Sequence, residues 1–289
     1  PSTANVWAEH SVWPQDPGFE TALAGGVTSL MVLPGSANVI GGRSVVLKNV
    51  PATTYQAMKF PGAPQGLKAA CGENPKRVYG GDKKTPQTRM ANVAVYRAQW
   101  IEAHEMAIIV DMSKEFGFRV SAFHHASEAY KIANLLADEG VCAAMWADWW
   151  GFKMESYDGI QENIAMVDAA PRGCAVVHSD SEEGIQRLNQ EAAKAIAAGR
   201  RAGLEIPPER AIAWITSNAA RAIGVGDRTG SLEKGRMADV VVWNRDPFSV
   251  YAKAERVYVD GSLRHDAAHS GAPRSDFLLG QPALTEVRP

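Results

Sequence analysis

Short apolar runs alternate with longer amphipathic segments along most of this sequence, and this rhythm limits the possible folds more than any other feature. It is typical of βα units, in which each buried strand is followed by a helix that packs on the sheet. Five apolar runs are predicted to be buried strands: residues 28–33, 66–70, 119–123, 140–146 and 174–177. Helices are predicted at residues 127–139, 181–202 and 208–223. We therefore predict an α/β fold built around a parallel sheet.

The predicted strands are too few for a closed (β/α)8 barrel. The shortfall lies before Pro1 and between residues 95 and 117, where the pattern predicts one continuous helix. Either the fold is not the full barrel, or the sequence omits segments of it. We expect omission, and hence a TIM-like (β/α)8 barrel that is incomplete in this sequence.

The sequence pattern changes towards the C-terminus. Residues 238–243 and 256–261 are predicted to form antiparallel strands. We assign residues 1–226 to the barrel domain and 227–265 to part of a small β-sandwich domain. Residues 266–289 are assigned to a tail, whose Pro- and Gly-rich end is expected to pack loosely.

The segment 38–84 has little periodicity and is rich in Gly, Pro, Lys and Asn. We predict long loops around the strand at 66–70. Long loops in a compact α/β protein are usually functional, so this segment is a candidate to border a site.

The charge and hydropathy of the chain argue against nucleic-acid and membrane partners. The formal net charge is −2, which provides no basic surface for nucleic acid or an anionic membrane. No apolar run approaches the roughly 20 residues that a membrane helix needs. The abrupt start at Pro1 is expected to be a trimmed one, so the compartment of this soluble protein stays open between cytoplasm and periplasm.

The three cysteines, Cys71, Cys142 and Cys174, are too few and too scattered for a disulfide framework or a CxxC-type zinc site. Each lies in an apolar stretch. We expect buried structural thiols.

Two neighbouring histidines stand where a predicted strand ends and a helix begins. His124 and His125 follow the apolar run at 119–123. Polar residues at the carboxyl ends of parallel barrel strands face the mouth of the active site. Since adjacent strand residues project to opposite sides, we expect at most one of the two to face a metal centre, while the other packs or forms a hydrogen bond.

A second polar cluster, His178-Ser179-Asp180, follows the strand at 174–177. The Asp180 carboxylate is suited to bind a metal ion and to accept a proton from water. The competing interpretation makes Asp180 a helix N-cap, a role that Ser179 or Ser181 could also fill.

Two further clusters offer charge and aromatic surface. After the strand at 140–146, Trp149 and Trp150 are predicted to wall an apolar substrate pocket, to which Lys153 supplies charge; core packing is the alternative. Lys68 lies inside an apolar strand, where a lysine is costly unless it is paired or chemically modified. Glu73 is the other candidate for a bridging group there, although it is expected in a turn.

These motifs together resemble the amidohydrolase superfamily, and within it the imidazolonepropionase-like branch. Residues 216–224 (TSNAARAIG) and 229–243 (TGSLEKGRMADVVVW) are similar to the superfamily pattern NPA…LG…GSLEPGKxADLVV. Residues 125–131 (HASEAYK) resemble the branch's HGTEAYK, and residues 178–180 its final-strand HSD. The resemblance is clear from about residue 119 to 261.

The resemblance implies hydrolysis of a C–N bond in an amide or cyclic amide by metal-activated water. It implies one or two divalent metal ions, usually Zn2+, held by His125, Asp180 and a bridging Lys68, with Asp180 also the catalytic base. His178 and Lys153 would face the substrate, a small amide-type molecule. Homo-oligomers are common in the family.

The sequence also departs from the family pattern. The His-x-His pair of the first strand is missing, and so is the strand expected before residue 105, of which His104 would be a remnant. His10, His265 and His269 are expected to be surface or structural residues. Two alternatives therefore stay open: a deaminase on the same scaffold, and a non-catalytic relative that has lost its metal.

Overall fold

The computed structural model describes residues 2–88, 90–92, 94–95, 106–149, 156–157 and 159–269. Within these ranges the chain forms ten strands arranged in four sheets. The strands are β1 (Ser29–Val32), β2 (Ile40–Arg43), β3 (Val45–Lys48), β4 (Leu67–Ala69), β5 (Ala122–His124), β6 (Cys142–Met145), β7 (Ala175–Val177), β8 (Val240–Trp243), β9 (Ala254–Val259) and β10 (Ser262–Asp266). Strands form at all five predicted apolar runs, as β1, β4, β5, β6 and β7. The predicted burial holds for β6 and β7 but is wrong for β1, which is half-buried, and for β4, which is exposed at Leu67 and Ala69.

Nine α-helices lie in the same described ranges, joined by short 3-10 turns. They are α1 (Pro17–Ala24), α2 (Tyr55–Met58), α3 (Glu73–Gly81), α4 (Met106–Phe116), α5 (Ala133–Asp138), α6 (Asn163–Ala169), α7 (Leu188–Arg201), α8 (Pro208–Ala213) and α9 (Ser217–Ala222). None of these helices is long and apolar enough to cross a membrane.

The parallel sheet predicted from the sequence is confirmed as β5-β6-β7. Its central strand β6 is buried along its whole length, because helices cover both faces of such a sheet. The largest core cluster surrounds this sheet and includes Trp214, which has no exposed surface. Its carbonyl accepts a hydrogen bond of 3.1 Å from the amide of Val177 at the end of β7.

The segment predicted as long loops at 38–84 is more ordered than expected. It contains β2, β3, α2 and α3 besides β4, so that expectation is wrong. β3 pairs antiparallel with β1, and β2 pairs antiparallel with β4. The register of β2 shifts at Gly42. Its φ of 126° disfavours any side chain, and a Cβ there would lie only 2.6 Å from the carbonyl oxygen of Val6. Such long-range pairing depends on partners that local periodicity does not reveal.

The C-terminal antiparallel strands are confirmed. β8, β9 and β10 form one three-stranded antiparallel sheet. A buried ion cluster ties β3 to this sheet, because Lys48 Nζ lies 2.8 Å from Asp239 and 2.9 Å from Asp260.

Several predicted elements differ in their bounds. The helix at 127–139 becomes a 3-10 turn at Ala129–Ile132 followed by α5, and the helix at 208–223 is divided into α8 and α9. Glu73 begins α3 and does not lie in a turn. His104, Trp150, Lys153, the tail from residue 270 and much of the predicted helix at 95–117 lie outside the described residues.

The expectation of buried free thiols is wrong for two of the three cysteines. Cys142 and Cys174 form a disulfide with a Cα–Cα distance of 4.5 Å. The register that pairs Ala143 with Ala175 brings the two cysteines side by side at the amino ends of β6 and β7. Both are buried, as expected, whereas Cys71 is only half-buried and takes no part in this disulfide.

Candidate active site

A large cavity of about 1090 Å³ lies at the carboxyl end of the parallel sheet. Its lining includes Lys68, His124, His125, His178 and Asp180. Four of these five residues were proposed from the sequence as ligands, base or substrate contacts. The fold brings them together because the carboxyl ends of β5 and β7 open on the same edge of the sheet.

Both neighbouring histidines line this cavity, although the alternation of a strand predicts that at most one of them faces a metal centre. His124 is the last residue of β5, and its ring centroid lies 5.9 Å from that of His178. His125 has a φ of 57°, in the left-handed region, which ends the alternation of the strand. Its ring therefore turns to the same side and lies 5.0 Å from His178.

His178 lies at the centre of an aromatic cluster. It follows β7, and its backbone amide donates a hydrogen bond of 3.1 Å to the carbonyl of Met145. Trp146 stacks on His125 at 4.7 Å and on His178 at 5.3 Å. Within the described part of the chain, the buried Nε2 of His178 has no hydrogen-bond partner. A buried nitrogen of this kind is costly unless a bound group satisfies it.

The environment of the cavity keeps two of the histidines neutral. Burial, followed by the positive charges of Lys68 and His125, lowers the pKa of His124 to about 4, although Asp180 opposes this shift. By its accessible surface His124 is nevertheless an exposed residue, and it lines the cavity. Burial and the neighbouring histidines also hold the pKa of His178 well below its usual value. Both rings are therefore neutral near pH 7.

Asp180 is exposed at the rim of the cavity, beside the turn that leads towards α7. Helix capping was the alternative role for Asp180, and its neighbours Ser179 and Ser181 make the hydrogen bonds of that role instead. Ser181 Oγ accepts hydrogen bonds of 3.2 Å from the amides of Glu183 and Gly184, and Ser179 Oγ accepts one from the amide of Ser181. The Asp180 carboxylate thus remains available at the cavity.

The β4 region contributes to the cavity lining Lys68 and an asparagine that was not among the site residues predicted from the sequence. Lys68 is half-buried and lines the cavity. Asn74, in the first turn of α3, also lines it, and its buried Oδ1 lacks a hydrogen-bond partner among the described residues. Glu73 is not among the residues that line the cavity.

Trp149, one of the two tryptophans predicted to wall the substrate pocket, lines a different, smaller pocket. Trp149 lines that pocket beside Trp146 and Asn163, and it is not part of the lining of the large cavity. Asp148 is engaged by Lys194 of α7 at 3.0 Å. Because Trp150 and Lys153 lie outside the described residues, their predicted contacts stay predictions.

The residues around the cavity fit a metal ion in their chemistry. Neutral imidazoles, a carboxylate and a lysine are all present, and the unsatisfied Nε2 of His178 is available to a ligand. In the described ranges, no three His, Cys, Asp or Glu side chains converge closely enough to hold an ion.

Comparison with known proteins identifies the family. The Amidohydrolase family's sequence model matches residues 118–265. The solved structure of an amidohydrolase from Thermotoga maritima MSB8 superposes with a TM-score of 0.80 and is 32% identical, covering 92% of this chain and 79% of that one. The chain belongs to the amidohydrolase family.

Two curated relatives of this amidohydrolase-family chain differ in how much they share with it. Amidohydrolase tasK of Hapsidospora irregularis is 28% identical over 327 aligned residues, which cover 90% of this chain and 33% of that protein. Imidazolonepropionase of Aromatoleum aromaticum is 51% identical over 41 residues, 14% of this chain and 10% of that enzyme. The chain thus spans a third or less of the length of these relatives.

Proposed function

We propose that this chain is a metal-dependent hydrolase that cleaves a C–N bond in an amide or cyclic amide. The observation that carries the proposal is the meeting of His124, His125, His178 and Asp180 around one cavity at the carboxyl edge of the parallel sheet. Membership of the amidohydrolase family supports it. We assign β5-β6-β7 to part of a (β/α)8 barrel and β8-β9-β10 to part of a small β-sandwich.

We propose His125 and Asp180 as metal ligands, with Lys68 as the bridging group. Lys68 is preferred to Glu73 because only Lys68 lines the cavity. His124 joins the candidate ligands, since its ring is neutral and lies in the same cluster. A bound divalent ion, Zn2+ in this proposal, would lower the pKa of water from about 15.7 towards ~7.

The protein groups then account for the proton transfers. Asp180 accepts a proton from the attacking water and returns it to the leaving nitrogen, which general acid–base catalysis makes about 10²–10⁴ times faster. Neutral His178, held against Trp146, presents Nε2 to the substrate.

The direct experiment measures hydrolysis of a panel of N-acyl amino acids, dipeptides and cyclic amides by the Zn2+-loaded protein. Asp180→Asn is expected to reduce turnover by roughly 10²–10⁴-fold and to leave the urea midpoint unchanged, because Asp180 is exposed. Glu182→Gln is the matched control: Glu182 is also exposed, two residues away, and does not line the cavity. Its turnover should equal that of the wild type.

Near-normal turnover of Asp180→Asn would remove this residue as the base. Ammonia release from amino-substituted rings without amide hydrolysis would favour the deaminase alternative. No turnover and no metal binding by the wild type would favour the non-catalytic relative.

A further inference from the structure

We propose that Asn163 is a positioning residue that holds His125, beside its strand-end neighbour His124, in the orientation required by the site. Asn163 is the first residue of α6 and is almost completely buried. The proposal rests on the function proposed above, because it assigns those histidines to the site. Asn163 is not among the residues that line the large cavity, so it acts through other residues.

The Asn163 side chain clamps the turn that follows His125. Its Nδ2 donates hydrogen bonds of 2.9 Å to the carbonyl of Ala126 and 3.1 Å to that of Ser127. Its Oδ1 accepts a hydrogen bond of 2.9 Å from the backbone amide of Tyr130. One side chain thus satisfies three backbone groups within five residues of the chain.

The chemistry of this clamp requires a carboxamide. Two donors and one acceptor must be presented at once by a short side chain, which asparagine does and an aspartate cannot. Because Asn163 is buried, an aspartate there would lose both donated hydrogen bonds and place a negative charge against the two carbonyls. α6 therefore fixes the turn from outside the parallel sheet.

The clamp matters because the turn contains a strained residue. His125 has a φ of 57°, a conformation that a non-glycine residue adopts only when its surroundings impose it. The amide of Ser127 donates a 2.8 Å hydrogen bond to the carbonyl of His125, so the clamped residues are directly linked to the strained one. If the turn relaxes, the His125 ring leaves its stack on Trp146 and its place beside His178.

The test compares Asn163→Asp with Asn49→Asp. Asn49 is an equally buried asparagine whose Nδ2 donates to two carbonyls, those of Phe19 (3.0 Å) and Val27 (2.9 Å), and it does not line the cavity. Both variants lose the same type of interaction, so general loss of stability is matched. Asn163→Ser, which keeps one polar atom, serves as a second variant if Asn163→Asp does not fold.

Two readouts are taken on protein that retains the folded circular dichroism spectrum. Histidine side-chain NMR signals, assigned with single His→Gln variants, report ring position without any metal. Titration with Zn2+ alone, against a chromophoric chelator, reports the affinity of the site. We expect the Asn163 variants to shift the His124 and His125 signals, leave His265 unchanged, and weaken Zn2+ binding by roughly 10–100-fold. Asn49→Asp should change neither.

Unchanged His125 signals in a folded Asn163 variant would overturn the proposal. So would equal effects of Asn49→Asp on the same signals. If the wild type binds no Zn2+ but the His125 signals shift only in the Asn163 variants, the positioning role stands and the proposed metal-dependent function fails.

Discussion

The buried ion cluster around Lys48 provides a sharp test of how the parts of the fold are joined. Lys48 ends β3, and its Nζ donates to both oxygens of Asp239, at 2.8 and 2.9 Å, and to Asp260 at 2.9 Å. The side chains of Lys48 and Asp239 are each only 4% exposed. Thr229 Oγ1 donates a further hydrogen bond of 2.7 Å to Asp239. The cluster therefore anchors β3 to the edge of the β8-β9-β10 sheet.

Lys48→Met should destabilise the protein by about 3–5 kcal/mol, because it leaves the Asp239 carboxylate buried without its counter-ion. The methionine keeps most of the aliphatic volume, so the loss measures the unpaired charge more than a cavity. Asp260→Asn should cost less than about 1 kcal/mol, since Asp260 is half exposed. Lys194→Met is the lysine control. Lys194 is half exposed and pairs with both Asp148 and Glu191, so its loss should also cost less than about 1 kcal/mol.

The assay is urea unfolding followed by tryptophan fluorescence and far-UV circular dichroism. The expected order of midpoints is wild type, then Asp260→Asn and Lys194→Met close together, then Lys48→Met far below. A Lys48→Met midpoint equal to that of Lys194→Met would refute the reasoning that a buried charge cluster holds these elements together.

Two further predictions concern acid and the disulfide. Histidines in the unfolded chain have a pKa near 6.5, whereas the pKa of His124 in the fold is about 4, and the pKa of His178 is also held well below its usual value. The stability that these neutral histidines contribute is therefore retained above pH 6.5 and lost as the pH falls to 4. Urea unfolding midpoints measured at pH 7 and 4.5 should show this loss. A His124→Gln/His178→Gln double variant should show a smaller change of midpoint with pH. Replacing Cys142 and Cys174 with alanine should lower the unfolding free energy by roughly 3–4 kcal/mol, since their sequence separation is 32; a urea midpoint equal to that of the wild type would contradict this.

The local hydrophobic pattern was sufficient to find the parallel sheet and the edge of it that borders the cavity. The apolar runs before His124 and His178 are confirmed as β5 and β7. Since the carboxyl ends of parallel strands share one edge, the two polar clusters were expected to meet, and they line one cavity. The assignment of ligand and base roles within that cluster stays a prediction.

What the sequence could not reveal depends on non-local geometry. The alternation of side chains along a strand predicted that at most one of the two adjacent histidines would face a metal centre. The left-handed φ of His125 ends that alternation, and both histidines line the cavity. The disulfide between Cys142 and Cys174 depends on the register of β6 and β7, which spacing alone does not determine. Likewise, Asn163 donates a hydrogen bond to the carbonyl of Ala126, which lies 37 residues earlier in the chain, in the turn after His125.

Metal content tests the central claim most directly. Elemental analysis of the purified chain should find one or two Zn2+ per molecule, and His125→Ala/Asp180→Asn should bind less. Hydrolysis of the amide panel should stop on treatment with a chelator and return when Zn2+ is restored. A metal-free wild type that still hydrolyses amides, or a double variant with wild-type metal content, would contradict the account.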